Sequence, residues 1–98
     1  MNRQRAIAIL QSHRDELRRR GVARAAIFGS VARGDARDDS DVDVLVEIEP
    51  TAELGVWEYA GLKRYIAELF PTRVDVADLA QLRPRVRRSV EGDAVYAF

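Results

Sequence analysis

The chain has 98 residues, 47% of them hydrophobic, enough for one compact module over residues 1–98 with a modest core and too few for two. The absence of cysteine excludes a disulfide framework and a thiolate metal site, and no apolar run is long enough for a signal peptide or a membrane span, so the expected location is the cytoplasm. Sixteen basic residues balance sixteen acidic ones, which argues against a protein that coats nucleic acid; the bases, all arginine but Lys63, crowd the two ends, and acids hold the centre.

From Asn2 to Arg20 the residues Ala6, Ile9, Leu10, His13 and Leu17 recur at three- and four-residue spacing and Gly21 supplies a stop, which predicts one amphipathic helix. Val22 to Phe28 is a short apolar run ending at Gly29, and Val42 to Glu49 alternates strictly, with Val42, Val44, Val46 and Ile48 on one face; both read as strands. Glu53 to Phe70 returns to helical spacing through Leu54, Trp57, Gly61 or Leu62, Tyr65 and Leu69 before Pro71 breaks it, and Thr72 to Ala77 alternates again. A last helix is expected from Pro84 to about Gly92, leaving a short apolar tail. The resulting fold class is α/β, a small mixed sheet with helices packed on one face and an open acidic face on the other.

The chemistry concentrates between Gly29 and Val46. Side chains two apart share a face of a strand, so Asp41 and Asp43 point together, opposite the valines that meet the helices. Two like charges on one sheet face repel and gain nothing for stability. Hard divalent cations such as Mg²⁺ take oxygen ligands and would neutralise them. Asp75, between Val74 and Val76, faces away from the core in the same way, and three carboxylates converge if the two strands are neighbours. At the other end of the stretch, Gly29 allows close approach of a ligand, and Ser30 can open a short helix whose N–H groups and hydroxyl suit a phosphate. Triphosphate at one end and metal at the other describe nucleotidyl transfer, in which two ions would clamp the attacking and leaving oxygens.

Each residue has a plainer role to set beside this one. Ser30 taken alone is an N-cap serine in a strand-to-helix turn, and Asp38, Asp39 and Ser40 are solvated turn formers. Arg33 suits a phosphate contact or a structural pair with Asp35 or Asp41. His13, on the apolar stripe, reads as a half-buried core residue, the terminal arginines as solvated faces, and Trp57, Tyr59 and Tyr65 as a packing face or a partner surface.

Gly29-Ser30, ten residues, then Asp41-x-Asp43, followed by a strand bearing Asp75, resembles the nucleotidyltransferase superfamily typified by DNA polymerase beta, and the wording GSVARG…SDVDVLV resembles its minimal branch. The resemblance implies the polymerase beta-like palm fold, with Asp41, Asp43 and Asp75 as catalytic metal ligands for two Mg²⁺ ions. It further implies Gly29 and Ser30, with Arg33 as a candidate, at the triphosphate of ATP. Minimal members are commonly encoded with an all-helical HEPN-domain ribonuclease toxin and act as its antitoxin by transferring AMP to a tyrosine hydroxyl. The resemblance therefore implies a HEPN partner in a hetero-oligomer, with a homodimer as a further arrangement. The alternatives are an antitoxin that works by binding alone, and nucleotidyl transfer to an RNA end or a small hydroxylated compound. The latter needs recognition elements for which 98 residues leave little room.

Overall fold

The computed structural model describes every residue except Asp38. The expectation that Asp38 is a turn former therefore lies outside the described residues. Elements follow in the order α1 (Arg3–Ser12), α2 (Arg14–Arg19), β1 (Val22–Phe28), α3 (Gly29–Arg33), β2 (Val42–Ile48), α4 (Val56–Glu68), β3 (Val74–Asp78), a 3-10 turn (Leu79–Gln81), α5 (Pro84–Asp93) and β4 (Val95–Tyr96). No helix among the described residues is long and apolar enough to cross a membrane.

The four strands form one sheet in the order β3-β2-β1-β4. β1 pairs antiparallel with both β2 and β4, whereas β2 and β3 run parallel and are joined through α4, the crossover that a parallel pair requires. The expected apolar tail is thus partly a strand, with Val95 and Tyr96 opposite Ile27 and Ala26.

Period-two alternation divides the sheet into two faces. On one, Ala25 and Ile27 of β1 and Val42, Val44 and Val46 of β2 join Ala6, Leu10 and Leu17 of α1 and α2 and Leu62 and Ile66 of α4 in the main core. Val22 belongs to that face although its parity differs from Ala25 and Ile27. A register shift between Val22 and Arg24 accommodates one extra residue and turns Val22 inward. Full burial of each Leu, Ile or Val side chain contributes about 1.5–3 kcal/mol, so this face carries most of the stability.

The opposite face is only partly open. Leu79 of the 3-10 turn and Val90 of α5 pack on Ala26 and Leu45 and roof its middle, with Phe28, Ala77, Leu82, Ala94 and Tyr96 around them. Beyond that roof, toward the start of β2 and β3, the face is left to Asp43 and Asp75.

The predicted first helix is two. Ser12 Oγ donates to the Ile9 carbonyl at 2.8 Å and His13 Nδ1 lies 2.9 Å from the same oxygen, so side chains compete for the acceptor that the His13 N–H would use in a continuous helix. The His13 N–H turns to Leu10 at 3.2 Å, and α2 restarts with Leu17 N–H on the His13 carbonyl at 2.9 Å. His13 is half-buried, as expected, with its ring edge-on to Tyr65 at 6.1 Å.

α4 also begins later than the apolar spacing suggested. Glu58 Oε1 accepts from the Gly55 N–H at 3.0 Å and fixes the start, while the inward stripe runs through Leu62, Tyr65, Ile66 and Leu69. Trp57 is not part of it and stands 84% exposed.

Candidate active site

The C-terminal end of β1 and the N-terminal ends of β2 and β3 meet at one end of the sheet. Phe28, the last residue of β1, is the register partner of Asp43, and Asp43 is in turn the register partner of Asp75 on β3. Asp41 immediately precedes β2 and is exposed, as is Asp75, while Asp43 between them is half-buried.

Gly29 joins the turn to the acids. Its φ of +73° is one that side-chain-bearing residues rarely adopt, and a Cβ built there would fall on Asp43 Oδ2 and lie 3.1 Å from Asp43 Cγ. The Asp43 carboxyl therefore occupies the space that glycine alone leaves free. The sequence places these residues 14 positions apart; the antiparallel pairing of β1 with β2 stacks them.

Ser30 stands in the first turn of α3. The cap position is Phe28, which gives no side-chain hydrogen bond, and among the described residues no bond engages the Ser30 hydroxyl. The N-cap role that the sequence offered is not the one adopted. The Ser30 carbonyl accepts from the Gly34 and Asp35 N–H groups at 3.0 and 3.1 Å, which closes α3 on Gly34 at φ +83°.

Arg33 pairs with Asp35 at 3.3 Å and with Asp93 at 2.7 Å. The first partner was among the two expected; Asp41 is not a partner, and Asp93 arrives from the end of α5. Sequence reasoning missed Asp93 because 60 residues separate it from Arg33 and no local pattern signals the contact. The two carboxylates hold the guanidinium still more firmly in its charged form.

Burial pushes the Asp43 carboxyl above the usual carboxylate range, the negative charges of Asp75 and Asp41 push it further, and Arg33 pulls partly back. Among the described residues, none of these three aspartates has an arginine or lysine partner. No three acidic or histidine side chains are gathered tightly enough to cage a cation alone, again among the described residues. The expected convergence is thus a shared sheet end and not a finished cage. That donor set fits Mg²⁺, which is usually held by one or two carboxylates together with substrate phosphate oxygens and water. Carboxylates that lack a protein counter-charge are the complementary half of such a site.

Asp43 on an inner strand of a small mixed sheet, with Asp41 just before that strand, Asp75 in register beside Asp43 and a Gly-Ser turn against it, is the arrangement of a nucleotidyl-transfer domain of the palm type. The chain belongs to the nucleotidyltransferase domain family, whose family model matches residues 10–97. It is 38% identical over 90 residues to the protein adenylyltransferase MntA of Thermococcus cleftensis, across 91% of this chain and 89% of that one. A solved structure assigned to the minimal nucleotidyltransferases superposes with a TM-score of 0.78 at 36% identity, covering 97% of this chain and 95% of its own. The fold is shared, at 17% identity and a TM-score of 0.64, with a chain in the complex of a tri-AMPylated Shewanella oneidensis HEPN toxin and its MNT antitoxin, over 94% of this chain and 71% of that one.

Proposed function

We propose that this chain is a Mg²⁺-dependent protein adenylyltransferase that moves AMP from ATP to a tyrosine hydroxyl of a HEPN-domain partner, and so acts as the partner's antitoxin. The observation that carries the reading is the stack of Gly29 on the Asp43 carboxyl with Asp75 in register beside it, which supports a phosphate-binding turn next to a metal-binding end of the sheet. Similarity to a protein adenylyltransferase over nine-tenths of the chain supports the protein acceptor, and the fold shared with a chain in an AMPylated toxin complex supports the partner class.

In this reading Asp41 and Asp43, with Asp75, hold Mg²⁺, which when bound would supply positive charge to the triphosphate and to the leaving pyrophosphate. The protein does the positioning. Gly29 lets the triphosphate approach the backbone, and the unengaged Ser30 hydroxyl donates to a phosphate oxygen. Arg33, anchored by Asp35 and Asp93, adds a cation close enough to act on Asp43. Asp75, exposed on the edge strand, faces the incoming acceptor and takes or orients its proton. The tyrosine oxygen forms a bond to the α-phosphorus as the bond from that phosphorus to the bridging oxygen breaks, and pyrophosphate departs with the electron pair.

The test is mass spectrometry of the co-expressed partner. One or more added AMP units are expected with the wild-type chain and none with Asp41→Ala/Asp43→Ala, which should still bind but fail to rescue growth. Full rescue by that variant with no change in partner mass would establish an antitoxin that works by binding alone.

A further inference from the structure

At the other end of β2 from the acids lies a feature that nucleotidyl transfer does not use. Val56 and Trp57, in the first turn of α4, are 80% and 84% exposed. Val56 lines an apolar groove of about 350 Å³ together with Ile48, Ala52, Leu54, Tyr59 and Asp78, among others, and Trp57 follows it in the same helical turn. A large indole left in solvent costs hydrophobic free energy and gains no packing, and Trp is the residue type most enriched where protein partners anchor. The stripe that holds α4 to the sheet lies elsewhere on the helix, so the fold has no need of a tryptophan there.

The rim of the groove has a definite charge. Asp78 lines it; Glu53 and Glu58 line the adjoining hollow across Ala52 and Leu54. None of these three acids is in an ion pair among the described residues, whereas Arg19 and Arg20, across the hollow, are both paired with Glu16. The nearby Lys63 lies over the Tyr59 ring at 5.4 Å. The Tyr59 phenol is harder to ionise than usual, by burial and by the charge of Asp78, as a wall of an acidic, half-dry groove should be. An apolar slot with an unneutralised acidic rim complements an apolar side chain flanked by arginine or lysine. A protein that binds RNA presents such basic segments, because it must meet phosphates.

We propose that the groove lined by Val56, together with the exposed Trp57 next to it in the chain, is a docking site for the acceptor protein, separate from the transfer site, which takes a basic segment carrying an apolar anchor. The inference rests on the function proposed above and names where the partner is held. Ile48 is five residues along β2 from Asp43, a span of about 17 Å at strand rise, so a partner held at the groove can still reach the acidic edge with a residue of its own.

The experiment follows AMP incorporation into the HEPN-domain acceptor of the function proposed above, with ATP saturating and partner concentration varied. Trp57→Ala should raise KM for the partner tenfold or more, leave kcat and the KM for ATP unchanged, and keep the melting temperature of the wild type. Glu53→Lys should raise the same KM and weaken its dependence on salt. Unaltered partner KM in both variants overturns the proposal, as does a wild-type dimer that Trp57→Ala dissociates with the partner KM unchanged, since the groove would then hold a second copy. If the wild-type chain transfers no AMP, the proposed function fails. Docking is then decided by calorimetry, where equal partner affinity for wild type and Trp57→Ala would overturn it and a tenfold loss would sustain it.

Discussion

Gly29→Ala tests the stacking of turn on acid most directly, because the consequences separate into two parts that the molecule allows to be measured apart. The first is backbone strain: an alanine held at φ +73° sits in the left-handed region, at a cost of about 1–2 kcal/mol. The second is collision, since the new Cβ would overlap Asp43 Oδ2 and force the carboxyl off its position. Gly34 provides the reference. Its φ is +83° and nothing lies within 4 Å of a Cβ built there, so Gly34→Ala carries the strain without the collision. For a domain of this size that strain alone should lower the melting temperature by about 4–16 °C. Gly29→Ala should lower it further and abolish measurable AMP transfer, whereas Gly34→Ala should retain transfer at temperatures where it is folded. Adding Asp43→Ala to Gly29→Ala should recover the excess, because only the Asp43 Cβ at 3.4 Å, an ordinary contact, would remain. The assays are thermal denaturation of the wild type and the three variants and transfer of labelled AMP by the single ones. Equal melting temperatures for Gly29→Ala and Gly34→Ala, with transfer intact in both, would refute the stacking.

Asp43→Asn should raise the melting temperature near pH 7. A carboxyl pushed above its usual range by burial and by Asp75 and Asp41 destabilises the fold wherever it is ionised and costs nothing once protonated, so the gain should vanish below about pH 4; a gain independent of pH would point to another cause. Ser30→Ala should change stability by less than about 0.5 kcal/mol, as for a half-buried hydroxyl without a hydrogen-bond partner, while slowing transfer. A loss of stability with transfer unchanged would return Ser30 to a structural role.

Periodicity served best where one face is buried. β2 alternates because Val42, Val44 and Val46 meet the main core, and that same alternation put Asp43 on the other face. The register of Asp43 with Asp75 depends on β2 and β3 being neighbours, which the sequence could state only as a condition. Trp57 was drawn into the α4 stripe because it stands three residues from Leu54 and four from Gly61; Leu54 precedes the helix, and at about 100° per residue Trp57 lies about 140° round it from Leu62, outside the buried stripe. The break at His13 was hidden because Ala6, Leu10 and Leu17 keep helical spacing across it, and only the competition for the Ile9 carbonyl reveals it. β4, at two residues, is too short to show a period, and α5 is tied to the sheet by the single buried Val90, too little apolar surface to announce which face it roofs.

The three acids stand on supports of unequal stiffness. β2 is hydrogen-bonded on both sides, so the ladder around Asp43 opens only if the sheet opens, while β3 is an edge strand held from one side. Amide exchange should therefore be slow around Val44 and faster around Val76. On the proposed reading the nucleotide is gripped from the rigid strand and the acceptor enters over the compliant one. A bulky protein surface can then displace the Asp75 edge slightly to bring its hydroxyl into line, without loosening the hold on the triphosphate.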